Sequence, residues 1–149
     1  MWVGRGWGTN GRMPDTAERS EMILALEPRP ESARIVRRAL HAQGLSNDVA
    51  HTVDLLATEV IGNAVRHAEL RDGQRIVFCA RISDDFARVE IADPGPGFDP
   101  EVVTTSGYGL RLLEALATRW GIECTRGCRV WFEVDRRSGR FGRAVAPAA

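Results

Sequence analysis

Leu55-Leu-Ala-Thr-Glu59-Val-Ile-Gly62-Asn63-Ala-Val-Arg66-His67-Ala68 is the stretch on which the fold of this chain turns. Val49, Val53, Leu56, Val60 and Ala64 recur at steps of three and four, the period of one helix face. Glu59, Asn63 and His67 also stand four apart, and each such step turns a helix by only about 40°. On a helical wheel Glu59 falls at the margin of the apolar face, with Asn63 and His67 inside it. Polar groups buried there cost free energy unless something pairs with them. Two readings follow. The three groups pair with backbone or with one another, or the acid and the amide supply hard oxygen ligands for Mg²⁺, an ion that usually arrives with substrate phosphates. Gly62 within the helix costs about 1 kcal/mol relative to Ala, and an interior glycine often marks something packed close.

Moving outward, the sequence predicts a capped start for this helix at Ser46 or Asn47 and an end near Ala68. Before it, Glu21 to Glu27 reads as a strand stopped by Pro28 and Pro30. Glu31 to Gln43 reads as a helix ended by Gly44. Its Arg34, Arg37 and Arg38 make a basic flank, either a solvated face or a contact surface for a partner. After it, Arg75–Ile82 and Phe86–Ala92 read as paired strands, with Arg88 and Glu90 facing out and Val89 and Ile91 facing in. Leu110–Trp120 is expected to be a helix, and Ile122–Thr125 with Cys128–Val134 a hairpin across Arg126-Gly127. Residues 1–20 and 136–149, rich in Gly, Arg and Ala, are expected to be disordered flanks of a domain over 21–135. Trp2 and Trp7 are unusual in such a flank, and Met13 is an alternative translation start.

Composition excludes several chemistries. The 149 residues carry twenty acidic and twenty basic side chains, so no net field draws in nucleic acid or a membrane surface. All twenty basic residues are Arg. Without Lys there is no Walker P-loop, no Schiff-base chemistry and no protein-kinase nucleotide lysine. No stretch approaches a membrane span, and the expectation is a soluble cytoplasmic protein. Cys79, Cys124 and Cys128 are accordingly read as reduced, buried thiols, since Cys124-x-x-x-Cys128 lacks a second pair to complete a zinc site.

Two further segments carry chemistry. In Asp93-Pro-Gly95-Pro-Gly97-Phe98-Asp-Pro100 an acid sits where a strand meets a loop of glycines and prolines. Glycines allow close backbone approach to a flat ligand. A carboxylate there can accept a hydrogen bond from an exocyclic amine, which separates adenine from guanine. Thr104-Thr-Ser106 then leads into Gly107-Tyr108-Gly109-Leu110 at a helix start, where free N–H groups and the helix dipole suit phosphate.

Taken in this order, the three segments resemble the ATP-binding domain of the gyrase/Hsp90/histidine-kinase/MutL superfamily. The closest resemblance is to the anti-sigma-factor serine/threonine kinases, and it covers roughly Met22 to Val134. Glu59-Val-Ile-Gly-Asn63-Ala-Val-Arg-His67-Ala is similar to the N-box, Asp93-Pro-Gly95-Pro-Gly97-Phe98 to the first glycine box, and Gly107-Tyr-Gly109-Leu110 to the second. The resemblance implies a two-layer α/β sandwich of the Bergerat type, with a mixed, mainly antiparallel sheet covered on one face by three helices. It implies that ATP and Mg²⁺ bind. Asn63 would hold the ion, and Glu59 would act as general base or orient a metal-bound water. Asp93 would take the adenine amine, with Gly95 and Gly97 letting the base lie on backbone. Gly107, Tyr108, Gly109 and Leu110 would cradle phosphate, with Arg66 or His67 as a further phosphate contact. The implied partners are a sigma factor and an anti-anti-sigma (STAS-type) antagonist, with neither nucleic acid nor membrane, and family members often homodimerise through the first helix and strand. The implied activity is phosphorylation of the antagonist; the alternative is a nucleotide-gated binding module without useful catalysis. Only Phe98 to Ser106 separate the glycine boxes, so the lid is short. His41 and His51 are read as structural.

Overall fold

The computed structural model describes residues 20–96 and 108–136. Residues 1–19 and 137–149 of the expected flanks, Gly97, Gly107 and the segment between the glycine boxes therefore lie outside the described residues, while Ser20, expected in the flank, opens the first strand. The elements run β1 (Ser20–Leu26), α1 (Glu31–His41), α2 (Asn47–His67), β2 (Ile76–Ile82), β3 (Phe86–Asp93), α3 (Tyr108–Leu116), β4 (Arg119–Cys124) and β5 (Cys128–Asp135). The strands form one sheet in the order β1-β2-β3-β5-β4. All four pairings are antiparallel. Among the described residues, three helices and this sheet make the expected α+β sandwich.

Alternation decides which sheet face is covered. Ile76, Phe78, Ala80 and Ile82 of β2, Val89 and Ile91 of β3, and Phe132 and Val134 of β5 are buried. Opposite them pack Val36 and Leu40 of α1, Val53, Leu56, Val60 and Ile61 of α2, and Leu113 of α3. The long helix α2 is the central one, touching α1, α3, β3 and β5. Truncating one of the buried Leu, Ile or Phe side chains among them to Ala would cost about 2–5 kcal/mol, since the cavity closes only in part.

The other sheet face carries charge. Glu21, Arg81, Arg88, Glu133 and Arg119 stand in register across all five strands. Arg81 binds Glu21 at 3.1 Å, and Glu133 accepts from Arg88 at 2.7 Å and from Arg119 at 2.6 Å. Arg88 also lies 4.2 Å from the centre of the Trp131 ring. Arg88 and Glu90 face outward as expected, although Glu90 is itself buried, 3.3 Å from Arg129.

Several local expectations are corrected. Ser46 is the N-cap residue of α2 but makes no side-chain cap bond. The third helix begins at Tyr108 and stops at Leu116, not Trp120. Pairing with β5 takes over there. Thr118 N–H donates to the Glu133 carbonyl at 2.8 Å, and Arg119 and Trp120 pair with Glu133 and Phe132. Cys124 and Cys128 are not free thiols. The hairpin sets them directly opposite at 4.3 Å between Cα atoms, and they form a disulfide. Cys79 is free. His41 is tied into the structure by a 2.5 Å contact with Asp54 between α1 and α2.

Candidate functional site

The inner face of the sheet leaves a pocket at the C-terminal end of α2. From α2 it is lined by Val60, Asn63, Ala64 and His67, and from α3 by Leu110 and Leu113. The floor is Ile91 and Asp93 of β3, Val130 of β5 and Ile122 of β4. Mostly apolar walls with a carboxylate, an amide and an imidazole at the edges suit a flat heteroaromatic group carrying a polar tail.

Each polar group is placed by its element. Asn63 and His67 stand one turn apart on α2, and both reach the pocket as the four-residue spacing requires. The wheel put His67 within the buried face, but His67 is exposed and Asn63 half-buried. His67 is the last residue of the helix, so it forms the rim and not the core. Glu59, a turn before Asn63, is half-buried and does not line this pocket. Asn63 Oδ1 accepts a hydrogen bond from Arg66 Nη2 at 2.8 Å, which brings a guanidinium to the amide oxygen that the sequence marked for a cation.

Asp93 is the last residue of β3 and faces the pocket with Ile91, two residues before it. Its Oδ1 accepts from the Gly95 N–H at 2.9 Å. Burial pushes the Asp93 carboxyl above its ordinary value, and the Gly95 N–H offsets part of that rise. Gly95 has an intramolecular reason to be glycine. A Cβ there would lie 2.1 Å from the carbonyl oxygen of Ala68, the C-cap of α2, and 2.9 Å from Asp93 Oδ1. At Gly95 the protein's own backbone makes such a close approach, whatever a ligand does there. Gly127, at φ +87°, packs the same way, since a Cβ would fall 2.2 Å from the Asp93 carbonyl oxygen. The Asp93 turn is held between the end of α2 and the tip of the β4–β5 hairpin.

Tyr108 and Gly109 form the first turn of α3, so the helix start lies beside the pocket that Leu110 lines. The hydrophobic walls Ile91, Leu113, Ile122 and Val130 were legible only as core residues. Nothing in their periodicity separates a pocket wall from a packed interior.

The donor set fits Mg²⁺ carried with a nucleotide better than a resident ion. Among the described residues no group of three or more His, Cys, Asp or Glu could hold a metal. A single amide oxygen, that of Asn63, suits an ion that draws its other ligands from phosphates and water. Among the described residues no helix is long and apolar enough to cross a membrane.

The model of the histidine kinase-like ATPase domain matches residues 26–132. Among solved structures, one of the RsbU and RsbW domains of Rv1364c from Mycobacterium tuberculosis superposes with a TM-score of 0.62 at 21% identity. That match covers 87% of this chain but only 34% of the other, so the chain spans about a third of it. No curated protein matches the chain. A family match over most of the chain, on a fold whose pocket joins the helix-borne amide to the strand-end acid, places this chain in the histidine kinase-like ATPase domain family.

Proposed function

We propose that the chain binds ATP with Mg²⁺ and transfers the γ-phosphoryl group to a Ser or Thr hydroxyl of an anti-anti-sigma-type antagonist, while holding a sigma factor. The observation that carries this reading is the convergence of Asn63 and Asp93, thirty residues apart in sequence, on one apolar pocket. Support for the regulatory role comes from the N-box and glycine-box resemblance, together with a fold shared with a structure that contains an RsbW domain.

Each residue then has a defined task. Asp93 accepts a hydrogen bond from the adenine amine through the oxygen not engaged by Gly95. Ile91, Val130, Ile122 and Leu113 exclude water from the faces of the base. Asn63 presents its amide oxygen to the cation, and Arg66 turns its guanidinium from that oxygen toward phosphate. His67, at the rim, is the alternative phosphate contact. Gly107, outside the described residues, and the Tyr108-Gly109 turn offer N–H groups at the positive end of α3. Glu59 takes the proton of the attacking hydroxyl. With no Lys in the chain, arginine and the helix end accompany Mg²⁺ in offsetting charge on the transferring group.

Thermal stabilisation tests the binding step, because a ligand that binds only the folded state stabilises it by mass action. ATP with Mg²⁺ should raise Tm, and GTP should not. Equal effects would remove Asp93 as the discriminating group. Incubation with labelled ATP and candidate antagonists tests transfer. Glu59→Gln should retain ATP affinity and lose the label. A second reading, a nucleotide-gated module without transfer, is favoured by one observation: Glu59 stands outside the pocket lining. Tight ATP binding with no label on any antagonist would establish it.

A further inference from the structure

Two adjacent rungs of the β3-β5-β4 ladder meet the pocket, the first through all three of its residues and the second through Asp93. The first is Ile91–Val130–Ile122, all three lining the pocket. The second, two residues further along each strand and so on the same face, is Asp93–Cys128–Cys124. The disulfide therefore lies on the floor's face just past the lining residues, cross-linking β5 to β4 in the rung that carries the pocket's carboxylate. The turn it closes presses on that carboxylate's backbone. A Cβ at Gly127 would meet the Asp93 carbonyl oxygen at 2.2 Å and Pro94 Cα at 3.1 Å. The two sulfurs differ in access: Cys128 is 4% exposed, while Cys124 is half-buried.

We propose that Cys124 and Cys128 are a reversible thiol–disulfide site whose state sets the affinity of the adjoining pocket, with the oxidised form binding more tightly. The inference rests on reading that pocket as the nucleotide site. The reactant class is a dithiol. One thiolate of the reductant attacks the more accessible Cys124 sulfur, the Cys124–Cys128 bond breaks, and Cys128 leaves as thiolate. The second thiolate of the reductant then attacks its own sulfur in the mixed disulfide and displaces Cys124. Two electrons pass to the protein, both cysteines take up protons, and the reductant ends as a disulfide. A disulfide oxidant runs the same exchange backward. In a reducing compartment, disulfides that do form are mostly transient or redox-sensing, which suits a bond at the edge of a ligand site. Reduction leaves the Gly127 turn and the Asp93 rung held by backbone pairing alone, so the floor is less preorganised and affinity falls.

The test compares full-length protein treated with oxidised or reduced dithiothreitol, with thiol state read by alkylation and mass. ATP-Mg²⁺ affinity is measured by calorimetry. The oxidised form should bind at least about fivefold more tightly, the lower end of coupling between sites. Cys124→Ser should show the reduced affinity under both treatments, and Cys79→Ser should keep the full response. Equal affinities, a response that persists in Cys124→Ser, or two free thiols after oxidation would each overturn the proposal. If neither form binds ATP, the nucleotide reading fails separately, and hydrogen exchange then decides. Slower exchange of residues 93–95 and 119–128 in the oxidised protein supports the coupling, and unchanged exchange overturns it.

Discussion

Gly62 and Gly95 look alike in the sequence, each a glycine inside a motif, yet replacing them with Ala should move stability in opposite directions. At Gly62 the three nearest atoms to an added Cβ all belong to the Arg66 guanidinium, the closest at 3.2 Å. That is the far end of a flexible side chain, and a few tenths of an ångström of movement relieves it. The gain is helix propensity, about 0.8–1 kcal/mol for Gly to Ala in a helix interior. Gly62→Ala should therefore stabilise by roughly 0.5–1 kcal/mol, or about 2–5 °C in Tm. At Gly95 the clash is with the Ala68 carbonyl oxygen at 2.1 Å, a backbone atom at the end of α2, with Asp93 Oδ1 at 2.9 Å besides. Neither the helix end nor the strand end can yield cheaply, so Gly95→Ala should cost about 1–3 kcal/mol or more. Differential scanning calorimetry of both variants without nucleotide reads the two signs directly. A destabilised Gly62→Ala, or a Gly95→Ala that melts with the parent, would refute the reasoning from neighbouring atoms. In the same material, Gly95→Ala should also weaken ATP binding, since the Asp93 turn must move to admit the methyl group.

Burial holds the Asp93 carboxyl above its ordinary value, so its ionised form costs stability in the ligand-free fold. That cost is absent below the ordinary Asp value of about 4 and fully present above the raised folded value. The Tm advantage of Asp93→Asn over the parent should therefore grow as pH rises from 4 to 7, while its ATP affinity falls; a constant difference across that range would contradict the assigned cause. Glu133 accepts from both Arg88 and Arg119 at 15% side-chain exposure, so Glu133→Ala should cost about 1–3 kcal/mol in a denaturant titration. Arg119, 47% exposed, should cost no more than about 1 kcal/mol when replaced by Ala. A larger loss for Arg119→Ala than for Glu133→Ala would invert that ranking.

Periodicity alone determined most of the elements. The three-and-four spacing of Val53, Leu56 and Val60 is enough for α2, and the alternation through Val89 and Ile91 is enough for the inward face of β3. The absence of Lys excluded several chemistries and the order of the three boxes pointed to one family, because those are properties of the chain and need no coordinates. Boundaries were less legible where a distant partner competes with local preference. Ala117 to Trp120 could extend a helix, but Thr118 and Arg119 gain hydrogen bonds and an ion pair from Glu133 on β5, far along the chain. Cys124 and Cys128 were two thiols four residues apart until the hairpin register set them face to face. Gly95 was a loop glycine until the end of α2 came down on it. Local sequence fixes φ/ψ preference and which face is apolar. Only the assembled layers decide which atoms meet, and so whether an apolar residue fills the core or lines a pocket.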